Sequence, residues 1–161
     1  MPVTLDLART AEDENPGLDL DSVAAVIHAA DGRYLMQHRE DRSGISYPGW
    51  WSLFGGAREE GETALAAIRR ELMEELEYPL RSGTPFIGCL YDIFFEGRRA
   101  RKVFFEVPMA ADDASRLVLH EGQGMNWFTL DEILDRARTI VPYDLGILTL
   151  HHSQFNRMTP R

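Results

Sequence analysis

Three glutamates in the run Arg70-Glu71-Leu72-Met73-Glu74-Glu75 are the first residues whose types and spacing suggest chemistry. At about 100° per residue of helix, positions 71, 74 and 75 share one sector beside the apolar stripe of Leu65, Ile68, Leu72 and Leu76. Glu71 and Glu75 stand as an i, i+4 like-charge pair, which costs a few tenths of a kcal/mol. Arg70, four residues before Glu74, is the one offsetting charge. An ordinary solvated face would interleave the two signs. Ala64 and Ala67 fall in the same sector and are expected to leave room for an approaching group. Carboxylates around an open patch make a site for a hard, oxygen-seeking cation: Mg²⁺, with Mn²⁺ as the alternative.

Those carboxylates need a helix. Thr63 reads as an N-cap, Ala and Leu dominate residues 63–77, and Pro79 is expected to end the element. Before it, the aromatic run Trp50-Trp51-Ser52-Leu53-Phe54 reads as a strand that stops at Gly55-Gly56, and Gly61 permits a tight loop into the helix.

Upstream, two β-rich runs flank Asp31-Gly32, a strong hairpin signal, and predict strands near 22–29 and 33–39. A second hairpin is expected near 86–95 and 100–107, with Arg98, Arg99, Arg101 and Lys102 at a basic tip. Residues 116–119 and 125–128 read as short strands around a loop containing Glu121, and Thr129 and Pro142 open two closing helices. Residues 1–21 read as an extension or edge segment and 22–161 as one domain. The expected class is α/β (α+β), a mixed sheet covered by helices.

The bulk figures agree with one cored domain: 161 residues, 44% hydrophobic and 27% charged. A net charge of −9 argues against a nucleic-acid or anionic-membrane surface. A small phosphorylated ligand would need local Arg or a bound cation to reverse the sign at its site. With a single cysteine, Cys89, there is no internal disulfide. With neither a leader-like nor a membrane-spanning run in view, a cytoplasmic protein is expected.

Gly56, five residues, Glu62, seven residues, and then Arg70-Glu71-Leu72-Met73-Glu74-Glu75 resembles the Nudix box, G-x5-E-x7-R-E-U-x-E-E-x-G-U with U aliphatic. Every charged position of the box is filled. Two positions depart: Glu77 stands where the box has Gly, and Tyr78 where an aliphatic residue is usual. The resemblance implies an α/β/α sandwich and Mg²⁺-dependent hydrolysis of a pyrophosphate bond. It implies Glu71, Glu74 and Glu75 as metal ligands, with the carbonyl of Gly55 and an extra acidic residue, Glu121, joining them. Arg70 would hold the neighbouring carboxylates, and Glu62 would be mainly structural.

In that reading the cation neutralises charge on phosphorus oxygens and acidifies a water, and a carboxylate takes its proton. Glu71 and Glu121 both stay open for that role. The substrate is expected to be a small nucleotide, a nucleotide sugar or a non-standard nucleoside triphosphate, with Arg39 as a phosphate contact and Trp50 as a stacking surface. Tyr47, Trp51 and Phe54 compete for the stacking role, although strand alternation sends at least half of these aromatics inward. The histidines His28, His120, His151 and His152 show no ligand spacing. No nucleic-acid or membrane partner is expected, and a homodimer through the sheet edge or the N-terminal segment is open to the family. The rival reading is a non-catalytic module that binds a nucleotide or a protein, which loss of a box glutamate would favour; none is lost.

Overall fold

The computed structural model describes residues 20–81, 84–93 and 98–158, with side chains described for 21–81 and 100–155. Six strands form one mixed sheet: β1 (Leu20–His28), β2 (Tyr34–His38), β3 (Trp51–Ser52), β4 (Thr84–Ile93), β5 (Arg98–Pro108) and β6 (Gly124–Phe128). The order is β3-β2-β1-β5-β4, with β6 also on β2. β1 and β5 run parallel and the other pairs antiparallel. Among the described residues four α-helices accompany them: α1 (Ala64–Leu76), α2 (Ala111–Ala114), α3 (Leu130–Asp135) and α4 (Pro142–Met158).

Side-chain alternation along β1 divides the core in two. Val23, Ala25 and Ile27 face α1 together with Val103, Phe105 and Val107 of β5. Ala24 and Val26 face the opposite way, with Phe104, Met36 and Phe128, onto Ile133 of α3 and Ile147 and Leu148 of α4. The sheet is thus a layer between helices, the expected α/β/α sandwich.

Several expectations hold in detail. Gly32 adopts a left-handed φ of 83°, and Arg33 donates its backbone N–H to Asp31 Oδ1 at 3.1 Å, closing the β1–β2 turn. Thr129 forms a complete capping box with Glu132.

Others need correction. β1 begins at Leu20, two residues before the strand start expected near 22, and Asp21 is tied to Arg58 and Arg101. Arg101 and Lys102 are not at a hairpin tip: they lie inside β5, paired with Asp21 and Asp144. Residues 116–119 form no strand. Instead the Val118 N–H donates to the Leu76 carbonyl at 3.1 Å and the His120 N–H to the Glu75 carbonyl at 2.9 Å, so this segment caps the end of α1. Helix α1 fills the expected stretch between its caps Thr63 and Glu77, but Glu77 and not Pro79 sets its end. Glu77 turns left-handed (φ 52°), its N–H reaching the Met73 carbonyl while that of Tyr78 reaches Leu72, a Schellman-type end in which Glu77 adopts the conformation a glycine would take. The side chains of Arg98, Arg99 and Cys89 and residues 1–19 lie outside the described residues.

Candidate active site

Helix α1 starts where Thr63 Oγ1 accepts the Ala66 N–H at 3.1 Å, and it is held down by Ile68, Leu72 and Leu76, all fully buried. That rotation about the helix axis decides how exposed each glutamate is. Glu75 is 3% exposed, the Glu71 side chain 13%, and the Glu74 side chain 59%. Ala64 and Ala67, expected beside an open patch, are core residues packed on the sheet. Their angle on the helix wheel is as predicted, but the sheet covers that sector near the N-terminal end of α1.

The room beside the glutamates comes instead from Gly56, while Gly55 lets the chain lie close against β1. Gly55 has a φ of 139°, and a Cβ there would lie 2.2 Å from the Val23 carbonyl oxygen. At Gly56 a Cβ would meet Glu71 Oε1 at 2.4 Å. Bare backbone therefore faces the carboxylates. The Gly55 N–H donates to Glu75 Oε2 at 2.9 Å, and the Gln37 side-chain amide donates to Glu75 Oε1 at 3.3 Å. No cation pairs with Glu75 among the described residues. Burial first, and then the charge of Glu71, push the Glu75 carboxyl up to about 8, with Glu121 adding to the rise. Burial also raises Glu71, against the opposing pull of Arg70.

Arg70 is the organising cation. Its Nε and Nη2 bind the two oxygens of Glu62, each at 3.0 Å, and Nη2 also donates to the Ala57 carbonyl at 3.0 Å. Nη1 then reaches Glu71 at 2.8 Å and Glu74 at 3.2 Å. The planar fork is locked by Glu62, whose carboxyl is held low first by Arg70 itself, so the remaining edge holds two box glutamates in register.

Glu121 comes from a different part of the chain, yet its loop is pinned on both sides. The Gln37 amide that binds Glu75 also donates to the Glu121 carbonyl at 3.2 Å, and the Gln123 N–H donates to the His38 carbonyl at 2.8 Å. Gly122 (φ 85°) lies so close to His38 that a Cβ would fall 2.6 Å from its carbonyl oxygen. The backbone is fixed while the Glu121 carboxylate is exposed, without a hydrogen bond among the described residues. It lies close enough to Glu71 and Glu75 to raise both. The structure thus brings Gly55, Arg70, Glu71, Glu74, Glu75 and Glu121 into one place.

A NUDIX-domain family model matches residues 19–147, most of the chain and all of this site. The chain belongs to the NUDIX family. It is a hydrolase of phosphoric anhydride bonds, a nucleotide pyrophosphatase. It is similar to the nucleoside triphosphatase NudI of Salmonella paratyphi B, 48% identical over 128 residues that cover 75% of this chain and 85% of that one. Among solved structures, the ORF135 protein of E. coli shares the fold with a TM-score of 0.69 at 24% identity, covering 91% of this chain and 100% of that one. The NUDIX domain of Shewanella oneidensis NrtR, solved with ADP ribose, gives 0.68 at 16% identity over 96% and 99% of the two chains.

Beside the carboxylates of this Nudix domain is a cavity of about 340 Å³, lined by Gln37, Arg39, Arg42, Ile45 and Glu121 among others. Arg39 also lines a small cavity of about 50 Å³ that reaches Gly55 and Tyr47. Its Nε is engaged by the Ser46 carbonyl at 3.0 Å. Trp50 is half-buried, 5.1 Å from the Tyr47 ring, and lines neither cavity. Phe54 is fully buried, and Trp51 stacks on His38 and meets Phe128 edge-on. Of the expected stacking aromatics, Tyr47 lines the smaller of these two cavities.

Two groups escape sequence reasoning. Gln37, which joins Glu75 to the Glu121 loop, has no motif around it. Nor does the meeting of His28, Glu106 and His151 on the far face of the sheet, because their separate elements contribute one residue each.

Proposed function

We propose that this Nudix hydrolase cleaves the pyrophosphate linkage of a nucleoside triphosphate, using Mg²⁺, with Mn²⁺ as a substitute. The observation that carries this reading is the set of acidic side chains around Gly55-Gly56, in which buried Glu75 lacks a cation among the described residues. The donor set fits a hard divalent ion: carboxylate oxygens, an approachable backbone and no soft ligand. Glu71, Glu74 and Glu75, with the Gly55 carbonyl, would hold it. Such an ion supplies neutralisation of phosphate charge and a more acidic water.

The chain's own groups do the rest. Arg70 keeps Glu71 and Glu74 aimed, the Gly55 N–H fixes Glu75, and Glu121, unbonded and on a pinned loop, takes the proton from the attacking water. Glu71 serves that role less well because Arg70 already engages one of its oxygens at 2.8 Å. Arg39 and Arg42, in the polar cavity beside Glu121, counter the outer phosphates. The triphosphate is preferred over a nucleotide sugar because the NudI relative is a nucleoside triphosphatase.

A panel of nucleoside triphosphates and nucleotide sugars with Mg²⁺, scored for released phosphate, pyrophosphate and nucleotide, tests the substrate. Faster turnover of nucleotide sugars would reverse the preference. Glu121→Gln is expected to lower kcat by about 10²-fold or more while Mg²⁺ affinity changes little. A near-wild-type kcat would transfer the proton role to Glu71.

A further inference from the structure

On the face of the sheet opposite α1, β1 and β5 end beside the second half of α4. His28, the last residue of β1, and His151 of α4 both approach one carboxylate oxygen, Glu106 Oε1 of β5, at 3.2 and 2.9 Å. One donor atom from each of the three residues lies within 4.8 Å of the others. Both histidines are buried, His28 at 5% and His151 at 2% exposure, and their rings lie 4.8 Å apart. The Glu106 side chain is 34% exposed and opens the cluster to solvent.

Neither ring nitrogen of His28 has a hydrogen bond of acceptable geometry among the described residues, although its Nε2 faces Glu106. The ring's polar atoms are thus poorly served within the protein, with only the Glu106 oxygen near Nε2 at 3.2 Å. His151 differs: both its ring nitrogens are engaged, Nδ1 by the Tyr34 hydroxyl and Nε2 by Glu106 Oε1, each at 2.9 Å, and the Tyr34 contact is the kind of outer hydrogen bond that orients a metal-binding imidazole.

We propose that His28, His151 and Glu106 form a second metal site, for a borderline transition cation of the Zn²⁺ type, which ties α4 to the ends of β1 and β5. Two imidazoles and one carboxylate suit that class and disfavour Mg²⁺. Donor atoms around a tetrahedral Zn²⁺ lie about 3.3 Å apart, so two of the three spacings are already near the value required. The third, between the two imidazoles, is longer, and binding has to draw the two rings together. The fourth position faces the exposed side of Glu106 and takes a water. The box glutamates lie across the sheet and present oxygen alone, so the two sites would select different metals.

Co²⁺ titration of the full chain, free of affinity-tag histidines and saturated with Mg²⁺ to occupy oxygen sites, tests this. One equivalent of Co²⁺ is expected to give the intense visible band of a low-coordinate imidazole-bound ion. That band should persist in Glu74→Gln and disappear in His28→Asn and Glu106→Gln, while Tyr34→Phe weakens binding by about 10-fold. Zn²⁺ should raise the unfolding temperature of the wild type and leave that of Glu106→Gln unchanged. Since Glu106 is partly exposed, its variant decides the matter even if His28→Asn fails to fold. Absence of the band, its persistence in Glu106→Gln, or its loss in Glu74→Gln would overturn the proposal.

Discussion

Asp144 and Glu75 are both buried carboxylates, one on each side of the central sheet, and their surroundings differ in kind. Asp144, at 0% exposure, has Lys102 Nζ 3.2 Å from Oδ1 and the Leu53 N–H 2.9 Å from Oδ2. The ammonium also lies 4.9 Å above the Tyr143 ring. Every part of that pair is supplied by the protein. Glu75 receives two amide donors, no cation among the described residues, and the repulsion of Glu71 and Glu121. Folding alone gains nothing from such a group. The same cost, a carboxylate taken out of water, is offset internally at Asp144, whereas at Glu75 the proposed divalent cation would have to offset it.

Three substitutions test that contrast. The largest effect is expected from Glu75→Gln, which keeps the shape and removes the charge: kcat should fall by about 10³-fold, within the range seen when a transition-state electrostatic contact is lost. The metal-free variant should be as stable as the wild type or more so, measured by denaturant unfolding with chelator. Lys102→Met should act on stability instead, because Asp144 then stays buried without a partner. A loss of about 3 kcal/mol is expected, or a lowering of Tm by about 6–12 °C. Should Glu75→Gln destabilise the metal-free protein more than Lys102→Met does, the two carboxylates are not opposites. The smallest effect is expected from Glu77→Gly. Glycine relaxes the left-handed turn but loses the Glu77–His120 contact of 2.7 Å, so stability should move by less than about 1 kcal/mol and kcat should not change. A large fall in kcat would place Glu77 among the working glutamates.

What the sequence displayed, and what it concealed, follow from how local each feature is. The Asp31-Gly32 turn, the caps at Thr63 and Thr129, and the glutamate spacing lie within single elements, where periodicity and turn chemistry act directly. Burial is not local. The wheel placed Ala64 and Ala67 beside Glu71 correctly, but only the sheet packed on α1 decides that this end of the sector is closed. The apolar run at 116–119 read as a strand because apolar residues in a short run fit either state, and the open carbonyls at the end of α1 captured it. Arg101 and Lys102 looked like a solvated tip because their partners, Asp21 and Asp144, are 80 and 42 residues away. Gln37 and the His28, Glu106 and His151 group stayed hidden for the same reason.

Proton release on Mg²⁺ binding is the sharpest probe of the proposed completion of Glu75 by a cation. A Glu75 carboxyl raised to about 8 holds its proton at pH 7 in the metal-free fold, whereas the unfolded chain has lost it above the usual value of 4.5. Its contribution to metal-free stability is therefore full below about pH 4.5 and is lost as pH rises through 8. Mg²⁺ requires the carboxylate and should reverse that loss. Calorimetric Mg²⁺ titration in buffers of different ionisation enthalpy should show about one proton released per ion at pH 7, falling toward zero above about pH 9, with the release absent in Glu75→Gln. Binding without proton release at pH 7, or equal release from Glu75→Gln, would contradict the account.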